Sequence, residues 1–228
     1  MRDKLFYNSI LFSIILSHNI HAQVIDDVES CRTNISYIEL FRVGDVTSGN
    51  CSDVVNVTGI ILESTLYTGL GSDHINIGRL LRSSVLTGNG NNSIALSTTA
   101  YDSDIVSGSG FDVVFIGGDI TRLNLDTGDS ADNIIINGDV YEGKLLTGSG
   151  NDNLNISSID FVRGYIDMGE GQDTLVLSGA YQDYIIEYND GFYTLNDYNQ
   201  TYIHNVESIV FSDGILLVDG IELQPISP

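Results

Sequence analysis

"LLTGSGNDNLNI", residues 145–156, sets a Gly-Ser-Gly turn at 148–150, follows it with Asp152, and then alternates Leu154 and Ile156 with polar residues. The outline returns as "LYTGLGSDHINI" (66–77), "VLTGNGNNSIAL" (85–96), "IVSGSGFDVVFI" (105–116), "LDTGDSADNIII" (125–136) and "IDMGEGQDTLVL" (166–177). A worn copy, "VTSGNCSDVVNV", occupies 46–57. The first glycines are Gly49, Gly69, Gly88, Gly108, Gly128, Gly148 and Gly169, so the steps are 20, 19, 20, 20, 20 and 21 residues. A period this regular marks a solenoid, whose units cannot bury their own apolar faces and gain stability by stacking.

The apolar pairs Ile75/Ile77, Ile94/Leu96, Val114/Ile116, Ile134/Ile136, Leu154/Ile156 and Leu175/Leu177 alternate with period two, as strands require. Many are β-branched, and the flanking glycines break helices. Successive coils then place these pairs in parallel ladders about 4.8 Å apart. The rest of each coil, such as "GDVYEGKLL" (138–146) or "GDITRLNL" (118–125), supplies a second turn and another short apolar ladder. Parallel crossovers favour one hand. The expected fold is all-β: a right-handed parallel β-helix or β-roll solenoid with coils of about 20 residues, two- or three-sided, closed by a β-rich C-terminal cap.

The 228 residues carry a formal charge of −22, with 9 basic against 31 acidic side chains. Such a surface repels nucleic acid and anionic lipid, which are bound through Lys and Arg. At 42% hydrophobic residues the chain is too apolar for an acidic disordered polymer. A divalent cation is the obvious neutralising partner. Arg2 and Lys4, the apolar run from Leu5 to Leu16, and Ala22 before Gln23 read as a Sec-type export signal over 1–22. The run is shorter than the roughly 20 residues a membrane-spanning helix needs, so no transmembrane segment is expected in the mature chain, and a periplasmic, extracellular or cell-surface location is. Residues 23–45 read as a degenerate first coil, 46–180 as the repeat solenoid and 181–228 as the cap. Cys31 and Cys51 are one coil apart, at 20 residues, which suits a disulfide between stacked positions in an exported chain; two buried thiols are the alternative.

The turns carry the chemistry. Glycines let the backbone curl its carbonyls inward, and the acid that follows adds a carboxylate. Carboxylate plus carbonyl oxygen suits calcium. Stacking puts Asp53, Asp73, Asp112, Asp132, Asp152 and Asp173 in one column, where like charges about 5 Å apart repel unless cations intervene. The alternative is that these acids hydrogen-bond the turn backbone.

On these phrases the chain resembles the repeats-in-toxin (RTX) family, whose Gly- and Asp-rich nonapeptides form a calcium-loaded parallel β-roll. "TGSGNDNLNI" matches its G-G-x-G-x-D-x-U-x, with Thr147 in place of the first glycine. The resemblance implies carboxylate ligands from Asp73, Asp112, Asp132, Asp152 and Asp173. It implies backbone carbonyls or turn geometry from Gly69, Gly71, Gly108, Gly110, Gly128, Gly148, Gly150, Gly169 and Gly171. RTX coils usually carry two such turns and this chain has one, so a single calcium column is expected. Asn92 replaces an acid, Ser130 a second glycine and Cys51 another, so sites beside them should be weak or absent. The segment 181–218, and "NVESIVFSDG" (205–214) in particular, resembles the family's C-terminal cap, and it reads as hairpins around Asn189-Asp190-Gly191.

No catalytic constellation is visible. H-E-x-x-H and G-x-S-x-G are both missing from the sequence. The expected role is a secreted, calcium-stabilised structural or adhesion module. The alternatives are a carbohydrate- or ice-binding module, or a polysaccharide-modifying enzyme on a β-helix face. The column Thr47, Thr68, Thr87, Thr127 and Thr147 could be read as an ice-binding ladder, although turn capping suits its position better. Polysaccharide or a cell surface is the partner this leaves.

Overall fold

A computed structural model describes residues 14–16, 23–24, 34–37, 40–158, 160–195, 200–217 and 222–225. The repeats form one parallel stack, the expected β-helix, and each coil feeds three ladders. Ser93–Leu96, Val113–Ile116, Asn133–Ile136, Asn153–Ile156 and Thr174–Leu177 pair in parallel in the first. Val140–Tyr141 and Phe161–Val162 belong to the second. Ser84–Leu86, Lys144–Leu146 and Tyr165–Asp167 belong to the third. Ala100–Val106 and Ile120–Asp126 run through the second and third without a break.

One coil shows how the sequence closes on itself. Ile134, Ile136, Val140 and Leu145 point inward from the three ladders, each 0% exposed. Fully burying such a side chain contributes about 2 kcal/mol, and the same positions recur above and below. The part of the coil expected to hold one further ladder holds two. The bend between them is a single residue in the left-handed region: Glu63, Arg82, Asp102, Arg122, Glu142 and Arg163 all lie between φ 46 and 54°. Their charges alternate in sign from coil to coil. Arg82 pairs with Glu63 at 2.5 Å, Arg122 with Asp102 and with Glu142 (3.8 Å), and Arg163 with Glu142.

Parallel stacking continues beyond residue 181. Thr201–His204 stacks on Tyr165–Asp167, and Ser208–Phe211 on Thr174–Leu177. These strands make a further coil inside the segment read as cap. Capping comes from antiparallel pairs. The expected hairpin joins Ile186–Asn189 to Phe192–Leu195 through Asp190 and Gly191, both at positive φ. Phe192–Leu195 covers Thr201–His204, while Gly214–Leu217 pairs with Ser208–Phe211 and with Glu222–Pro225. A parallel stack that turns antiparallel offers no next coil a template.

At the other end, Ile14–Leu16, inside the run read as an export signal, pairs with Asn34–Tyr37. Most of 1–22 and Cys31 lie outside the described residues, so the expected Cys31–Cys51 bridge does too. The one-coil offset holds beside it, where Asn34 pairs with Val54. No helix among the described residues is long and apolar enough to cross a membrane.

Candidate metal centre

The turn between the third and first ladders buries its acid. Asp53, Asp73, Asp112, Asp132, Asp152 and Asp173 are 1–2% exposed, and so is Asn92 in the coil that lacks one. All seven stand in one column tied by the same hydrogen bond. The backbone N–H of each donates to Oδ1 of the next: Asp53 to Asp73 (2.9 Å), Asp73 to Asn92 (3.0 Å), Asn92 to Asp112 (2.7 Å), Asp112 to Asp132 (2.8 Å), Asp132 to Asp152 (2.7 Å) and Asp152 to Asp173 (2.8 Å). Asp173 N–H donates to Glu207 Oε2 at 2.8 Å, which makes Glu207 the column's last carboxylate.

One oxygen of each acid is thereby used by the fold, and the other decides the chemistry. Ser48 donates to Asp53 Oδ2 (2.7 Å) and Thr68 to Asp73 Oδ2 (2.5 Å), each from five residues upstream. Further along, Thr127 and Thr147 give their single hydroxyl proton to carbonyls of the following coil, Thr147 O at 3.2 Å and Met168 O at 2.7 Å, and Ser107 to Thr127 O at 3.3 Å. These hydroxyls lie near enough to their own acids to lower the acids' pKa values somewhat, but one proton cannot serve two acceptors. Asp112, Asp132, Asp152 and Asp173 are left with a buried Oδ2 that has no hydrogen-bond partner. Met168 stands where the last coil would carry its hydroxyl, so that coil supplies no proton to Asp173.

Asn92 reveals what surrounds that oxygen. Its Nδ2 donates to Gly90 O (3.0 Å), Ser107 O (3.2 Å) and Gly88 O (3.3 Å). The amide hydrogens fit a cage of carbonyls; a carboxylate oxygen in the same cage meets lone pairs on every side. It needs a proton or a cation. Desolvation accordingly pushes Asp112 up to about 6 and Asp132 up to about 7, and the charges of Asp112 and Asp152 add to the latter. Desolvation, with Asp152 and Glu207 nearby, pushes Asp173 up to about 6. Asp73 and Asp152 are raised for the same first reason.

The glycines serve close stacking. Gly128 has φ 86°, and a Cβ there would sit 1.7 Å from Gly108 O. Gly69, Gly108, Gly148 and Gly169 share this first-glycine geometry, Gly71, Gly110 and Gly150 are also left-handed, and Gly171 is not. The carbonyls of Gly108, Gly128 and Gly148 accept N–H bonds from Asp129, Ser149 and Glu170 of the next coil. The structure therefore brings the expected acids and glycines into one edge, with hydrogen bonds already on the first-glycine carbonyls. No group of three or more His, Cys, Asp or Glu side chains among the described residues could by itself hold a metal. A cation here would take one carboxylate per coil, with carbonyls as its other ligands from the chain.

From Thr68 onward the threonine column is internal, with Thr68, Thr87 and Thr127 0% exposed and Thr147 2%, and presents no surface to ice. Thr47 does not belong to it, because it is half-buried and stacks on Tyr67, which leaves Ser48 in register with Thr68. Glu207 and the hydroxyl-to-acid spacing were not singled out from sequence. The spacing is written there, as Ser or Thr five residues before each acid or Asn from Ser48 to Asp152. Comparison with protein-family models, with curated proteins and with solved structures yields no match.

Proposed function

We propose that this chain is a secreted calcium-binding solenoid that serves as a structural or surface-adhesion module, as its resemblance to RTX repeats suggests. The observation that carries the proposal is the row of buried, partnerless Oδ2 atoms of Asp112, Asp132, Asp152 and Asp173, in the position where Asn92 meets three carbonyls. Buried anionic oxygen among neutral oxygens is hard-cation chemistry. Asp112, Asp132, Asp152 and Asp173 would be its carboxylate ligands, with turn carbonyls beside them. Calcium would supply the positive charge the column lacks, in a chain of net charge −22. Asp53 and Asp73, already served by hydroxyls, are the weakest candidates of the set. Export fits this reading, since calcium is plentiful outside cells, and so does a Cys31–Cys51 bridge.

Isothermal titration of the protein with calcium tests the reading. Asp152→Asn imitates the natural Asn92 coil, so it should fold and bind fewer ions. Asn92→Ala should leave the number of ions unchanged. Absence of calcium uptake by the unmodified protein, or equal effects of the two changes, overturns it.

A further inference from the structure

The outer surface of the first ladder is nearly free of charge. Its outward positions, two per coil from residue 54 to residue 210, hold no Asp, Glu, Lys or Arg, and His74 is their one ionisable side chain. The other sides are different. Arg79, Asp119, Asp139 and Asp160 line the way into the second ladder, and Asp104, Asp126, Lys144 and Asp167 stand on the third. With 40 charged residues in 228, these sixteen positions would carry about three by random placement, and they carry none.

What occupies the spared positions is chemically consistent. Asn76 Nδ2 donates to Asn56 Oδ1 at 2.8 Å, so these amides are held in order along the axis. Asn133, Asn153 and Asn155 continue amide chemistry further along. Between them stand Phe115, 37% exposed, and the half-buried Ile135. Its residues repeat along the axis at the strand spacing of about 4.8 Å.

We infer that this side of the solenoid binds a neutral polysaccharide laid along the axis. An uncharged side on a chain of net −22 discriminates against polyanions, which the remaining acidic surface repels, and offers polycations no carboxylate. Aligned amides can exchange hydrogen bonds with sugar hydroxyls, and Phe115 with Ile135 gives the apolar faces of sugar rings a place to lie. A second copy fits less well. Four-residue strands on eight coils give about 13 by 35 Å, roughly 450 Å², against the ~800 Å² per partner of a stable protein interface. The inference rests on reading the chain as a surface module and does not depend on calcium.

Native affinity electrophoresis tests it, in gels cast with laminarin, galactomannan or hydroxyethyl cellulose as neutral probes and alginate as the anionic one. Each gel is run with calcium and with chelator, so that failure of the metal reading and failure of this one are told apart. At least one neutral polymer should retard the protein, and alginate should not. Phe115→Asp should raise the apparent Kd at least tenfold, while Thr121→Asp, outward on the second ladder, leaves it unchanged. Asn155→Asp replaces Phe115→Asp if circular dichroism shows the latter unfolded. Retardation by none of the neutral polymers, or equal weakening by Thr121→Asp, overturns the inference. So does a concentration-dependent dimer, or inhibition of ice recrystallisation, that Phe115→Asp abolishes, since either names a different occupant.

Discussion

Ser130 occupies a second-glycine position with φ 88°, where Gly110 has 125° and Gly150 has 145°. A left-handed L-residue costs about 1–2 kcal/mol, and glycine loses about 0.5–1 kcal/mol more backbone entropy on folding. Strain therefore exceeds entropy, and Ser130→Gly should stabilise the fold by about 0.5 kcal/mol in urea unfolding. Gly128 obeys a harder constraint. Besides its positive φ, an added Cβ would lie 1.7 Å from the backbone oxygen of Gly108. Gly128→Ala should destabilise by about 3 kcal/mol or more, because two stacked coils must separate to admit it. A Gly128→Ala protein as stable as its parent would show that the coils are less closely stacked than described. The two residues sit in one turn, and their opposite expectations come from its backbone geometry.

At the scale of the strand ladder, the alternating charges at the left-handed bend can be tested together. Arg122 bonds Asp102 Oδ2 at 2.9 Å, approaches Glu142 at 3.8 Å and lies 4.6 Å over the Tyr101 ring. Arg122→Leu should lower the thermal midpoint at low salt, and the loss should shrink in 1 M salt, where screening acts within about 3 Å. An unchanged loss at high salt would assign the effect to packing. The first ladder was legible because alternation and the glycine period are both written in the order of the residues. The split into second and third ladders was not, because Glu63, Arg82, Asp102, Arg122, Glu142 and Arg163 carry no turn signature of the Gly or Asn kind. The repeat of their charge at one-coil intervals was the available trace. Glu207 was hidden for a different reason. Six residues separate Asp167 from Thr174, but only three separate the stacked His204 from Ser208, so the last turn no longer follows the glycine phrase. One-coil stacking also predicts that Cys31 and Cys51 are bridged when the protein is folded under oxidising conditions. Mass spectrometry after thiol trapping should find neither cysteine alkylated, and two alkylated cysteines would count against the pairing.

Across the whole molecule, the buried acid column links folding to protons and, on the proposed calcium reading, would link it to metal. Burial holds Asp112 and Asp173 up to about 6 and Asp132 up to about 7, against an ordinary value of 3.8. Between those limits the folded chain keeps protons that the unfolded chain has released. Stability then falls as pH rises, because the folded state binds the more protons. The contribution of these groups is complete below about pH 4 and is lost by about pH 7. Repulsion among the newly ionised neighbours works in the same direction. A cation that binds only the folded column replaces the lost protons and restores stability by mass action, so its uptake should release protons and strengthen with pH. The thermal midpoint in chelator should therefore drop between about pH 4.5 and 7.5, and millimolar calcium should remove most of that drop. Asp132→Asn, which brings its own amide hydrogens into the carbonyl cage as Asn92 does, should flatten the chelator profile without calcium. A midpoint in chelator that stays level or climbs over this range would mean that the column neither holds protons nor needs a metal to replace them.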